Sequence, residues 1–290
     1  MRRWKLALGV AVVLGLAIWG LGMQGSRAQP SGLGPATPKL RTIPHSRLGA
    51  KSAIRQPAGK PEFSAAFTGN GLDTSVWSTC YPYMDLPTGC TNFGNPEYQW
   101  YLSSQVHVSN GDLRLVARRR PTAGTTKRGA PHEYYCRSGM VTTYPSLRFK
   151  YGYVQVVAKV PTGRGLWPAL WLAAANEHWP PEIDMLETWG ADKAGEFFHP
   201  LDARRAGAVV PLKLAFGWHT FALDWSRSQL TWIIDGKVML TVRRHIPHQK
   251  MYLIMDVAEY LKPSQSRDCS GTMLVSSVRV WRNGSALPPS

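Results

Sequence analysis

From Glu62 onward the chain breaks into short stretches of alternating apolar and polar residues separated by turn residues, and none keeps a helical period. Alternation of period two sends successive side chains to opposite faces, as a strand half-buried in a sheet requires. Two hairpins are plain. Gln105–Ser109 and Asp112–Ala117 flank Asn110-Gly111, and Gln229–Ile234 and Lys237–Val242 flank Asp235-Gly236. Both dipeptides suit a tight turn that needs positive φ at its centre. Tyr151–Lys159, His219–Trp225, Met251–Val257 and Met273–Trp281 alternate in the same way. So many strands predict an all-β fold, a jelly-roll β-sandwich of two antiparallel sheets with a concave substrate cleft. No internal repeat is visible.

The segment before this domain is different in kind. Residues 1–28 hold a basic start, an apolar stretch from Leu6 to Met23 and Ser26-Arg27-Ala28, a small-x-small cleavage pattern; they predict a signal peptide or a membrane anchor. Residues 29–61, rich in Pro, Gly, Ser and Ala, predict a flexible linker. The domain then runs over 62–283, with a tail at 284–290. Export places the protein outside the cytoplasm, secreted or periplasmic, with a membrane reached only through the N-terminal segment. Cys80, Cys90, Cys136 and Cys269 all follow the leader, and an even count in an oxidising compartment predicts two disulfides with three possible connectivities.

The net charge of +16 raises the question of a nucleic-acid partner, so its location matters. Ten of the 34 Lys and Arg residues precede residue 62, where there is no acid; the remainder is 24 basic against 18 acidic residues. Arg118-Arg119-Arg120 and Arg243-Arg244 are short clusters outside any recognition motif, so no nucleic acid is expected. No His or Cys set has metal-ligand spacing. Oligomeric state leaves no mark on the sequence.

Glu182-Ile183-Asp184-Met185-Leu186-Glu187 carries the chemistry. Alternation puts Glu182 and Asp184 on one face and Ile183 and Met185 on the other, which would turn Glu187 into the core, where an unpaired carboxylate is costly. One extra residue, a β-bulge at Met185-Leu186, returns Glu187 to the side of Glu182 and Asp184. Three carboxylates on one face repel one another and are better explained by chemistry than by folding. Glycoside cleavage with retention needs two carboxyl groups about 5–5.5 Å apart, and a third between them raises the proton affinity of its neighbour. A short helix beginning at Pro180-Pro181 is the competing expectation, and it would scatter the three acids over different faces.

With its neighbours included, this segment resembles glycoside hydrolase family 16. The likeness runs in order through Asn95-Pro96-Glu97-Tyr98-Gln99-Trp100-Tyr101, Asn110-Gly111-Asp112-Leu113, Gly165-Leu166-Trp167-Pro168-Ala169-Leu170-Trp171-Leu172, the acidic strand, and Trp232-Ile233-Ile234-Asp235-Gly236. The E-x-D-x-x-E spacing is similar to the laminarinase-like branch. The resemblance implies Glu182 as nucleophile, Glu187 as general acid and then base, and Asp184 as the group that tunes them. It implies sugar contacts for Asn95, Trp167, Trp171 and Trp179, with His199 a further candidate for the cleft, although a histidine satisfied within the fold is the commoner case.

The implied activity is that of a retaining endo-acting glycoside hydrolase on a β-linked polysaccharide, a β-1,3 or β-1,3/1,4-glucan. No cofactor is required, and a structural calcium ion is compatible with the sequence. Three departures from the family bear on the substrate: Met140 follows Ser138-Gly139 where relatives have Arg, Pro181 replaces a small residue, and Asp256 stands where many have Asn. They motivate a second reading, an acidic or substituted exopolysaccharide as the substrate of a hydrolase or transglycosylase. A non-catalytic carbohydrate-binding module on the same sandwich is the reading from another class, and it predicts loss of a catalytic carboxylate.

Overall fold

The computed structural model describes residues 56–84, 89–190, 193–200, 206–211, 217–265 and 268–282. The leader at 1–28, the linker as far as residue 55 and the tail at 284–290 lie outside the described residues. Sixteen strands are described. They are β1 (Phe63–Ala65), β2 (Gln99–Tyr101), β3 (Val106–Ser109), β4 (Asp112–Thr125), β5 (Pro131–Ser138), β6 (Met140–Thr142), β7 (Gly152–Lys159) and β8 (Leu166–Ala174). The second half supplies β9 (Glu182–Glu187), β10 (Lys193–His199), β11 (Ala206–Pro211), β12 (His219–Trp225), β13 (Leu230–Ile234), β14 (Lys237–Val242), β15 (Met251–Glu259) and β16 (Ser270–Trp281).

Two sheets result, as the alternation predicts. The larger has the order β14-β13-β12-β7-β16-β4-β5-β2, with β1 on β16 and β3 on β4, and the smaller has the order β11-β10-β9-β8-β15-β6. Both legible hairpins form at the expected turns, where Asn110, Gly111, Asp235 and Gly236 all have positive φ. One expectation needs correction, because not every pairing is antiparallel. The short edge strand β2 lies parallel to β5, Gln99 to Tyr101 against Cys136 to Ser138. The segment that precedes it is closed by the Cys80–Cys90 disulfide, and Cys90 bridges Tyr101. The β4–β5 ribbon also runs far beyond Ala117. Arg118-Arg119-Arg120 continue the strand through main-chain pairing with β5, which no apolar alternation advertises.

The core lies between the sheets. Leu170, Leu172, Ile183, Leu253 and Met255 from the smaller sheet meet Val154, Val156, Leu223, Trp232 and Val278 from the larger, and all are essentially inaccessible. A second apolar cluster, built on Tyr81, Cys90, Tyr101, Met140, Tyr252 and Ile254, covers the other face of the smaller sheet. Strand β15 is therefore buried along its whole length, one face in each cluster. The packed domain begins before Glu62: Pro57 is buried, and the Gly59 carbonyl accepts a hydrogen bond from Trp281 Nε1 at 3.1 Å, so the last residues assigned to the linker belong with the sandwich.

The disulfides are Cys80–Cys90 and Cys136–Cys269, with sequence separations of 10 and 133. The second ties β5 to the start of β16. In the chain-entropy account, a cross-link stabilises by restricting the unfolded chain, worth about 3 kcal/mol for the shorter loop and about 5 kcal/mol for the longer. Replacing Cys136 and Cys269 together by Ala should lower unfolding stability more than replacing Cys80 and Cys90, as read by guanidinium titration. Equal losses would contradict that account.

Candidate functional site

The acidic segment is a strand, and the competing helix does not form. On β8, Trp171 pairs with Asp184 and Leu170 with Leu186, which leaves Met185 without a partner. On the other side, Phe197 pairs with Asp184 and Gly195 with Glu187, so the register shifts there too. This is the bulge that the sequence demands. Ile183, Met185 and Leu186 all enter the inter-sheet core, while Glu182, Asp184 and Glu187 emerge together on the opposite face.

A bulge interrupts the ladder and leaves main-chain groups needing other partners. One is supplied from the facing sheet, where the buried indole of Trp232 on β13 donates from Nε1 to the Asp184 carbonyl at 2.7 Å. The bulge is thus fastened through the core. Trp232→Phe keeps most of the apolar volume and removes that donor, and it should cost about 1–3 kcal/mol in unfolding stability. It should also lower kcat more than it raises KM; loss of stability with unchanged turnover would mean that the bulge holds without the bond.

The three acids have distinct surroundings. Glu187, 7% exposed, accepts a hydrogen bond from Trp167 Nε1 at 2.9 Å. Glu182 is more open and accepts one from Trp179 Nε1 at 3.2 Å. His199, on β10, places Nε2 3.6 Å from both Glu182 Oε1 and Asp184 Oδ2. Trp179 is 67% exposed, with its Nε1 edge held by Glu182 and its ring 5.7 Å from that of His199. Trp171 lines the same pocket and donates from Nε1 to Asp256 Oδ2 at 2.7 Å, and Asn95 donates from Nδ2 to Glu97 Oε1 at 3.3 Å. Ala169 and Ala258 keep the floor low. Six of the eight residues expected from the sequence line one cleft, and Trp179 and His199 adjoin it through Glu182 and Asp184.

Glu182, Asp184 and His199 offer ligand atoms within 4.8 Å of one another, a set able to hold a metal ion. Spacing along the chain does not reveal it, because His199 arrives from the neighbouring strand, where it pairs with Glu182. Two further residues that line the cleft, Glu97 and Asp256, escape sequence reasoning: Glu97 stands inside a stretch that resembles the family, and Asp256 reads only as a departure from it. The signal that marks Asp256 is its polarity inside a run that is buried throughout; Glu97 precedes β2 and carries no such mark.

Burial pushes the Asp256 carboxyl up to about 7. Burial and the nearby Asp256 push Glu97 up to about 8. Burial likewise raises Glu259 to about 7 and holds Glu196 well above the usual carboxylate range. A carboxyl whose folded value lies above its unfolded value binds protons more tightly in the folded state, so stability falls as pH rises. From Asp256, Glu259 and Glu97 the loss should begin near pH 4 and run to about pH 8. Melting temperature should therefore fall between pH 5 and pH 8, and less steeply in Asp256→Asn. An identical slope in that variant would contradict a raised value at Asp256.

The sequence profile of the glycosyl hydrolases family 16 matches residues 95–265. The endo-1,3-1,4-beta-glycanase ExsH of Rhizobium meliloti is 28% identical over 230 residues, which span 73% of this chain and 48% of that protein. A beta-glucanase of Rhodothermus marinus is 26% identical over 221 residues, 63% of this chain and 74% of that protein. The chain thus spans about half the length of the Rhizobium relative. Among solved structures, the endo-beta-1,3-glucanase of Pyrococcus furiosus superposes with a TM-score of 0.67 at 21% identity, covering 80% of this chain and 99% of that one; this likeness bears on the fold.

Proposed function

This chain belongs to glycosyl hydrolase family 16, and from that premise we propose that it is a retaining, endo-acting hydrolase of a β-1,3 or β-1,3/1,4-glucan. The observation that carries the reading is the bulge at Met185-Leu186, which brings Glu187 onto the face of Glu182 and Asp184. Glu182 attacks the anomeric carbon, and Glu187, held by Trp167, protonates the departing oxygen. A glycosyl-enzyme ester results. Glu187 then draws a proton from a water whose oxygen attacks the anomeric carbon and displaces the Glu182 carboxylate, which releases the sugar with its configuration kept. Asp184 sits between the two and shares His199 with Glu182, so its part is to orient and tune the pair rather than to react.

The glucan comes from the names of the relatives, several of which are β-glucanases or endo-β-glucosidases, and so does endo action. Asn95, Trp167, Trp171 and Trp179 are the proposed sugar contacts. Retention of all three acids weighs against a non-catalytic binding module. Export follows from the leader pattern together with two disulfides, which persist in oxidising compartments. No cofactor takes part in the proposed steps.

Glu182→Gln should lower kcat on laminarin or mixed-linkage glucan by orders of magnitude while leaving the melting temperature within a few degrees of wild type. Proton NMR of fresh product should show the β-anomer first. Near-normal turnover in the variant, or initial α-anomer, would refute the assignment.

A further inference from the structure

We infer that Glu97 and Asp256, bridged by the Tyr101 hydroxyl, form a proton-sharing wall of the cleft that accepts uncharged sugars beside the scissile bond and turns away sugars bearing carboxylate, sulfate or phosphate. The inference rests on the proposed assignment of Glu182 and Glu187 as the reacting pair.

Tyr101 Oη lies 3.1 Å from Asp256 Oδ1 and 3.4 Å from Glu97 Oε2. A phenol has one hydrogen and can donate to only one of these oxygens at a time. The other contact is favourable only if the carboxyl carries its own proton and donates it to the phenol oxygen. The remaining partners are uncharged donors: Trp171 Nε1 to Asp256 Oδ2 at 2.7 Å, Gln99 Nε2 to Glu97 Oε2 at 2.6 Å, and Asn95 Nδ2 to Glu97 Oε1. Among the described residues, no cation enters the set.

The strand register gives the same result. Met140, Asp256, Ala169 and Glu187 stand in one cross-strand row over β6, β15, β8 and β9. Asp256 is therefore two strands from Glu187, on the order of 10 Å in the main chain. Between them is only Ala169, which leaves room for a sugar. On its other side is Met140, fully buried, with Sδ 3.8 Å from Cys90 Sγ. Among the described residues no Lys or Arg lines the pocket, which holds Glu97, Glu182, Asp184, Glu187 and Asp256. His199 is the basic group beside them.

The other titratable groups near the pair are Tyr81, Tyr83 and Tyr252, whose phenols stay uncharged because burial raises them all. Burial favours the protonated carboxyls in the same way, with Asp256 at about 7 and Glu97 at about 8. The wall is accordingly neutral at pH 6 and becomes anionic above pH 8. The positive charge of the domain is elsewhere. The β4–β5 ribbon carries seven basic residues against two acidic ones, and Arg118, Arg119 and Arg120 are exposed there. Where the wall is ionised, an anionic sugar beside it would meet like charge with no Lys or Arg among the described lining residues, which disfavours an acidic glycan as the substrate.

The test uses the full chain as wild type, Asp256→Asn and Glu97→Gln, with a neutral β-glucan and a carboxymethylated β-glucan of the same backbone, at pH 5–9. Above pH 8, where the wall is anionic, the wild type should process the carboxymethylated polymer, relative to the neutral one, at least about tenfold less efficiently than at pH 6, the factor expected from a modest like-charge contact. Above pH 7 its discrimination should grow, and KM for the neutral polymer should rise with little change in kcat. Asp256→Asn should move the alkaline limb of the KM profile for the neutral polymer up by about one pH unit or more. Infrared difference spectra should show a protonated-carboxyl band at pH 6 that weakens in each variant. An unchanged limb and unchanged discrimination in both variants, or no such band in the wild type, would overturn the wall. Failure of the wild type to cleave either glucan would instead overturn the assigned reaction, and the infrared band would still decide the wall.

Discussion

One inserted residue in one strand holds this site together. Without the bulge at Met185-Leu186, strict alternation would bury Glu187 among the apolar side chains between the sheets, where an unpaired carboxylate is costly. With it, Met185 and Leu186 both enter the core and all three acids face the cleft. The insertion disturbs the ladder, and the Trp232 indole from the opposite sheet restores a partner to the Asp184 carbonyl. Core packing and the geometry of the cleft are therefore the same problem here: the element that positions the acids is held from behind by the sandwich itself.

The distribution of charge follows a similar logic. A strongly basic chain encloses an acidic cleft, and seven of its basic residues lie on the β4–β5 ribbon, whose pairing is made by the main chain. Arg118 even stands opposite Arg137, a like-charge pair of the kind that usually weakens a sheet. The cleft tolerates five carboxyls because several are hydrogen-bonded by neutral donors and two are raised toward neutrality by burial. Net charge alone would point to an acidic partner; its location points the other way for the central sugars.

The features legible in the amino-acid sequence are local ones. Asn110-Gly111 and Asp235-Gly236 require a backbone that few other residues adopt, so each hairpin can be read from two residues. The bulge can be read because three acids and three apolar residues fit no other strand. Features made by residues distant along the chain stay hidden. The Tyr101–Asp256 bond joins residues 155 apart, and the Trp232–Asp184 bond joins a strand of one sheet to a carbonyl of the other. The disulfide pairing and the parallel β2–β5 edge depend on topology in the same way. His199 reaches the acids through strand pairing, which its position in the chain does not announce.

The central claim is that the bulged strand presents Glu182 as the group that becomes covalently bound to sugar. An activated β-glucan oligosaccharide with fluorine at C2 of the reacting ring should slow the second step and trap the ester, and peptide mapping by mass spectrometry would locate it. The account predicts a glycosyl adduct on Glu182, absent from Glu182→Gln. An adduct on Asp184 or Glu187, or inhibition with no adduct on the protein, would contradict it.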